Sequence, residues 1–163
     1  MLPRDFSLDT LLANCAARHA HRLATVDGDQ RLTWAELDAR VTNLAHWLLA
    51  RGIGPGDRIA LLLTDGAPFV TTLLAAGRIG AIAVLLNWRL APAEIAWICG
   101  NAEPAITFAN PRFSSLLTEA AAGEVHLVDE AHAAGGFFET VAETALGSTP
   151  HAYDLGLDLA PDR

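Results

Sequence analysis

Apolar residues at Leu8, Leu11, Leu12, Cys15 and Ala16 recur at the spacing of one helix face, and Ser7 or Asp9 can supply the side-chain oxygen that caps it. Two short runs follow, Leu23–Val26 and Arg31–Leu32, joined by Asp27-Gly28-Asp29. That junction reads as a hairpin in which Gly28 takes the positive φ of the turn. Thr33-Trp34-Ala35-Glu36 is a capping box, since the Thr33 hydroxyl can take a backbone N–H while the Glu36 carboxylate reaches back to residue 33. The helix it opens carries Leu37, Val41, Leu44, Ala45 and Leu48 on one face and stops at Gly52.

From Arg58 the period changes. Arg58–Leu63 is continuously apolar after its first residue, as expected for a strand buried on both faces. Ala67–Ala76 reads as a helix, Gly77–Gly80 as a turn, and Ala81–Leu86 as a second strand. Pro92 suits the first turn of a helix running to about Cys99. A strand Ala105–Phe108, a helix Pro111–Ala122, a strand Val125–Val128 and a short helix Phe137–Ala145 complete the pattern, with Gly147–Arg163 as an irregular tail. Strands alternating with helices predict an α/β fold, a mostly parallel sheet built from right-handed βαβ units with flanking helices.

Composition and charge narrow the function. Hydrophobic residues make up 52% of the 163, enough for a core and too many for general disorder. All 11 basic residues are arginine, which excludes a Schiff-base lysine or a phosphate-loop lysine within these residues. The net charge of −8 arises entirely after position 115: residues 1–115 balance, whereas 116–163 set one arginine against nine acids. A balanced front and an acidic rear argue against nucleic acid or anionic membrane as the partner, and the rear reads as solvated surface or linker. No apolar run is long enough to span a bilayer, because Arg78 separates the two longest candidates, and no signal-peptide core follows the N-terminus. With Cys15 and Cys99 read as two buried, reduced thiols, these features predict a soluble cytoplasmic protein.

The usual catalytic signatures are missing. Gly52-Ile53-Gly54-Pro55-Gly56-Asp57 looks like a dinucleotide loop, but its glycines end a helix and enter a strand, the reverse of what a phosphate cradle requires. It reads as a helix stop and a turn. His19 and His21 face different directions on a helix, and His126 and His132 lack ligands at matching spacing, so no metal site is expected. Asp65-Gly66 falls at a strand's carboxyl end, where α/β folds bind ligands, but reads as a turn. No residue of the chain is expected to be catalytic.

Three motifs in register carry a resemblance. Leu32-Thr33-Trp34-Ala35-Glu36-Leu37 precedes Gly52-Ile53-Gly54-Pro55-Gly56-Asp57-Arg58-Ile59-Ala60-Leu61, and then come Gly80-Ala81-Ile82-Ala83-Val84-Leu85-Leu86-Asn87-Trp88-Arg89-Leu90 and Ala91-Pro92-Ala93-Glu94-Ile95. Together they resemble the opening of the adenylate-forming enzymes, the acyl- and aryl-CoA synthetases, over Leu8–Phe108 and more loosely to Arg163. The resemblance implies the first subdomain of that family's N-terminal domain. Residues 1–115 would be the motif-bearing α/β part, and 116–163 an acidic α/β continuation and tail ending before the phosphate loop.

The family's reaction uses ATP, Mg²⁺, a carboxylic acid and CoA. The acid attacks the α-phosphate to give an acyl-adenylate, and the CoA thiol then displaces AMP. Its phosphate loop, ending in Pro-Lys, and its mobile catalytic lysine have no counterpart among these residues, so the resemblance implies a fragment inactive by itself. An Asn87-x-Arg89-Leu90 pattern resembles the CoA ligases rather than amino-acid-activating domains of peptide synthetases, although Leu85 and Trp88 replace the usual prolines. One role can be carried across: Arg89 is the candidate contact for the phosphates of the CoA nucleotide, with Trp88 a candidate to stack on its adenine or simply to pack. The alternatives are a binding or scaffolding module that keeps the fold without the chemistry, and a piece of a peptide-synthetase adenylation domain. A fragment would also leave sheet edges uncovered and prone to self-association.

Overall fold

In the computed structural model the described residues are 7–117, 122–129 and 136–144. Helix α1 (Leu8–His19) leads into strands β1 (Leu23–Asp27) and β2 (Gln30–Thr33), then α2 (Trp34–Leu49), β3 (Arg58–Leu62), α3 (Ala67–Arg78), β4 (Ile82–Leu85), α4 (Pro92–Ala102) and β5 (Ile106–Ala109). A 3₁₀ segment (Pro111–Leu117), β6 (Glu124–Leu127) and α5 (Phe137–Thr144) follow. β1 and β2 form an antiparallel hairpin, and β4-β3-β5-β6 form a four-stranded parallel sheet in that order.

The alternation of side chains along β3 and β5 explains the layers. Ile59, Leu61, Ile106 and Phe108 face a large core shared with Leu12 of α1, Leu37, Val41, Leu44 and Leu48 of α2, Ala75 and Ala76 of α3, and Val141 of α5. Ala60, Leu62 and Ala109 face the other way, into a smaller core with Leu86, Ile95 and Cys99. Both faces of β3 are therefore covered, which accounts for its unbroken apolar run. Because β3-α3-β4 moves to one side of β3 and β4-α4-β5 crosses to the other, right-handed crossovers put α3 and α4 on opposite faces.

Local chemistry sets the boundaries. Ser7, not Asp9, caps α1: the Thr10 amide donates to Ser7 Oγ at 3.1 Å. The capping box of α2 forms as expected, with the Glu36 amide donating to Thr33 Oγ1 at 3.3 Å and the Thr33 amide to Glu36 Oε2 at 2.8 Å. The Thr33 amide and the Thr33 hydroxyl, both donating to Glu36 Oε2, hold the exposed Glu36 carboxyl below its ordinary pKa. The hairpin turn places Gly28 at φ 57°.

Three expectations need correction. α3 continues through Gly77 to Arg78, and the stop falls at Gly80, whose φ is 71°. The segment from Pro111 forms 3₁₀ rather than α turns as far as Leu117, and Thr118–Ala121 lie outside the described residues. Cys15 is half-buried, whereas Cys99 is buried and its thiol is pushed above the ordinary value by that burial. The tail Gly147–Arg163 and His132 also lie outside the described residues.

Among the described residues Arg78 is the largest fully buried side chain. Its Nε donates to Asp9 Oδ1 at 2.5 Å and its Nη2 to Asp38 Oδ1 at 2.6 Å, while Nη1 reaches Thr42 Oγ1 at 2.5 Å. The end of α3 is thereby tied to α1 and α2.

Candidate functional site at the carboxyl end of the sheet

In open α/β sheets ligands sit outside the carboxyl ends of the strands, most often where the connections change direction. Here that place is between β3 and β5. It is filled by the chain's own polar groups. Asn110, 1% exposed, accepts at Oδ1 from the Thr64 amide at 2.8 Å and donates from Nδ2 to the Val128 carbonyl at 2.9 Å. The N-terminus of α3 is occupied likewise, because the Ala67 amide donates to Asp27 Oδ2 at 2.9 Å. A carboxylate supplied by the hairpin already satisfies that positive helix end. Asp65-Gly66 is a bend leading into α3, as the sequence suggests.

The glycine-rich stretch before β3 is also closed on itself. The Gly54 amide donates to Asp57 Oδ2 at 2.8 Å and the Gly56 amide to the Gly80 carbonyl at 2.9 Å. With Gly52 at φ 78° and Gly56 at φ 82°, it is a helix stop and a turn that aligns β3 with β4. Arg58, at the start of β3, donates to the carbonyls of Ala102 at 2.7 Å and Glu103 at 3.1 Å, closing the carboxyl end of α4. This arginine is structural.

One group of charged and aromatic side chains at this end of the sheet remains outward. β4 ends in a tight turn in which the Arg89 amide donates to Asn87 Oδ1 at 3.0 Å and the Leu90 amide to the Asn87 carbonyl at 3.0 Å. Pro92 then starts α4, and Glu94 Oε2 accepts the Ala91 amide at 2.8 Å. The turn leaves Arg89 exposed and Trp88 half-buried. The Arg89 guanidinium carbon lies 4.0 Å from the centroid of the Trp88 ring. Trp88 in turn stacks on Phe113, with centroids 5.4 Å apart and planes 9° from parallel. Arg112, from the same 3₁₀ segment, places its guanidinium carbon 4.8 Å from the Phe113 centroid.

Both residues named from the sequence, Arg89 and Trp88, are thus together in one turn. The rings of Trp88 and Phe113 pack against the smaller core and hold the turn in place. Sequence reading missed Phe113 and Arg112, since nothing local marks a ring that stacks on a residue from a different strand end. An exposed guanidinium over a ring face keeps its in-plane N–H groups for an anion. Among the described residues no carboxylate forms an ion pair with Arg89.

His126 is placed by packing and a local pair. His126 Nε2 lies 2.7 Å from Glu124 Oε1, and its ring meets Trp47 edge-on at 4.9 Å. Among the described residues no three His, Cys, Asp or Glu side chains gather as a metal site would need, and no helix is long and apolar enough to cross a membrane.

Comparison with known proteins bears on this arrangement. The chain is 38% identical over 96 residues to a putative acyl-CoA ligase, YdaB, from Bacillus subtilis, covering 59% of this chain and 19% of that protein. It is 35% identical over 102 residues to a 3-hydroxybenzoate-CoA ligase from Aromatoleum, covering 63% of this chain and 20% of that one. The chain therefore spans about a fifth of the length of these curated relatives. Its fold superimposes on the anthranilate CoA ligase AuaEII, solved with anthranoyl-AMP, with a TM-score of 0.78, 20% identity, and coverage of 91% of this chain and 30% of that one. The match to the AMP-binding enzyme family runs over residues 12–152, most of the chain, and this chain belongs to that family.

Proposed function

We propose that this chain is the N-terminal portion of an ATP-dependent acyl- or aryl-CoA ligase, and that Arg89 with Trp88 contacts the CoA nucleotide. The observation that carries the reading is an exposed arginine, fixed by the Asn87 turn at the carboxyl end of a parallel sheet, in a chain of the AMP-binding enzyme family. A guanidinium fork suits a phosphate, and the ring beneath it limits the rotamers it must give up on binding. The relatives named as CoA ligases for aromatic acids support a carboxylic acid substrate and CoA.

In such a ligase the carboxylate attacks the ATP α-phosphate, releasing pyrophosphate, and the CoA thiol displaces AMP from the acyl-adenylate. Neutralising the charge on the transferring phosphate needs cations placed in advance. Lysine is absent from these 163 residues, and so is a Ser/Thr/Gly-rich phosphate loop. The contribution proposed for this chain is therefore to the second half-reaction, through the CoA nucleotide, while ATP and Mg²⁺ are handled by other parts of the ligase.

Two measurements test the reading. The isolated chain should give no ATP–pyrophosphate exchange with a panel of carboxylic acids, and clear exchange would overturn the fragment assignment. In a ligase carrying this segment, Arg89→Ala should raise the CoA KM and leave pyrophosphate exchange nearly unchanged. Equal loss in both would remove Arg89 from the CoA site.

A further inference from the structure

The two edges of the parallel sheet differ in charge. At one edge β6 carries Glu124 and His126, joined side chain to side chain at 2.7 Å, and the exposed Asp129 follows it. These charges, with Phe137 of α5 packed on the His126 ring, guard that edge. At the other edge β4 pairs only with β3 among the described residues, and no charged residue occurs from Ile79 to Trp88. The Ile82 amide donates to the Asp57 carbonyl at 2.7 Å and the Leu86 amide to the Leu61 carbonyl at 2.9 Å. Alternation along the parallel ladder turns Val84 toward β3 as well, and turns the N–H and C=O groups of Ala83 and Leu85 outward. Ile82 and Leu85 are 53% and 55% exposed and lie on opposite faces of the sheet. A free backbone edge with an aliphatic side chain on each face is a template for another strand.

We propose that β4 pairs antiparallel with β4 of a second copy of this chain, about a two-fold axis at Val84, so that the two sheets become one. In that register Ala83 stands opposite the partner's Leu85, and Leu85 opposite the partner's Ala83, and every outward N–H of the two strands finds a carbonyl. Each exposed Leu85 lies against a small Ala83 on one face, and each exposed Ile82 meets a Leu86 on the other. Charge decides between the two edges. The net charge of −8 arises entirely after position 115, in the stretch that contains β6. Pairing through β6 would bring two such acidic stretches together. Pairing through β4 joins two uncharged edges, and the order β4-β3-β5-β6 leaves the two β6 strands about seven strand spacings, roughly 34 Å, apart. That is several times the screening length of about 8 Å at physiological salt. The pairing narrows the self-association expected of uncovered edges to one edge and one register, and it does not depend on the CoA reading of Arg89.

Sedimentation velocity of the intact chain over a range of concentrations should show a weak monomer–dimer equilibrium, because the contact is small. Hydrogen exchange at the Ala83 and Leu85 amides should slow as the concentration rises, with the Val125 and Leu127 amides of β6 unchanged. Leu85→Lys should weaken the dimer roughly tenfold or more. Ala83→Pro should do the same, since it removes an outward amide without taking a bond from β3. Leu127→Lys, on the other edge, should leave the dimer as it is. Thermal melts of dilute samples check that each variant folds, and Leu85→Thr, which keeps strand propensity, gives a partial loss if Leu85→Lys unfolds the chain. A monomer at every concentration overturns the proposal, and so do open-ended aggregates in place of a dimer. A dimer that survives both Leu85→Lys and Ala83→Pro, or is lost with Leu127→Lys, overturns it as well. All of these results are separate from the pyrophosphate-exchange and KM measurements that test the ligase reading.

Discussion

Asp9 and Arg78, 69 positions apart in the chain, meet at 2.5 Å with their side chains 5% and 0% exposed. Charges this deep are tolerated only when paired and fully hydrogen-bonded, and the Asp38 carboxylate and Thr42 hydroxyl complete the set around the guanidinium. Removing one member leaves a buried charge uncompensated. Asp9→Ala should destabilise the chain by about 3–5 kcal/mol in urea unfolding. Asp9→Leu combined with Arg78→Met should cost clearly less than the two single changes added together, because the pair stabilises mainly against its own halves. Simple additivity would mean that the pair is not coupled as the geometry requires.

Asn110 joins the ends of three structural elements through one amide, bonding Thr64 after β3 and Val128 after β6 from its place after β5. Asn110→Ala leaves those groups without their partner and should lower stability by roughly 2–4 kcal/mol. Hydrogen exchange should quicken at Thr64 more than at the distant hairpin. A uniform change across the chain would argue against this local role.

Gly123 precedes β6 with φ 64°, and a Cβ there would press on the carbonyl oxygens of Pro104 and Ala105, the latter at 2.5 Å. Gly123→Ala should therefore cost more than the roughly 1–2 kcal/mol of a left-handed alanine alone. Thermal unfolding gives the comparison, with Gly28→Ala as the control. Gly28 also has a positive φ, but a Cβ there meets nothing within 4 Å. Equal losses at the two positions would show that crowding at Gly123 is relieved.

His46 is held below the ordinary imidazole pKa, chiefly by burial and secondarily by the charge of Arg78. Its folded value is the lower one, so as pH falls the unfolded chain takes up the proton first. The stability linked to the neutral ring is complete above the ordinary imidazole value and is lost as pH drops from there through the folded value. His46→Gln should flatten that part of the stability curve between neutral and mildly acidic pH. Identical slopes for the two proteins in urea titrations would exclude His46 as a source of the acid sensitivity.

The elements that could be read from sequence are those whose signals are local. The Thr33–Glu36 box, the Asp27–Gln30 turn and the apolar run of β3 all lie within a few residues of the groups that form them. What escaped depends on partners far away. Arg78 looks like a charge dividing two apolar runs until α1 and α2 supply Asp9 and Asp38. For the same reason Asp9 reads as a cap candidate, when Ser7 does that work and leaves Asp9 for Arg78. At the candidate site Trp88 and Arg89 were named from the Asn87-x-Arg89-Leu90 pattern, whereas Phe113 and Arg112 join them only through the strand order β4-β3-β5.

That strand order also bears on how the chain is made. β3 sits between two partners that both come later in sequence, and the second of them, β5, ends only at Ala109. A chain leaving the ribosome through Arg78 already contains every residue of the Arg78–Asp9–Asp38–Thr42 network, but no strand able to pair with β3. The three-helix layer can therefore assemble during synthesis and hold the apolar face of β3, with the sheet completed only when β4 and β5 have been translated.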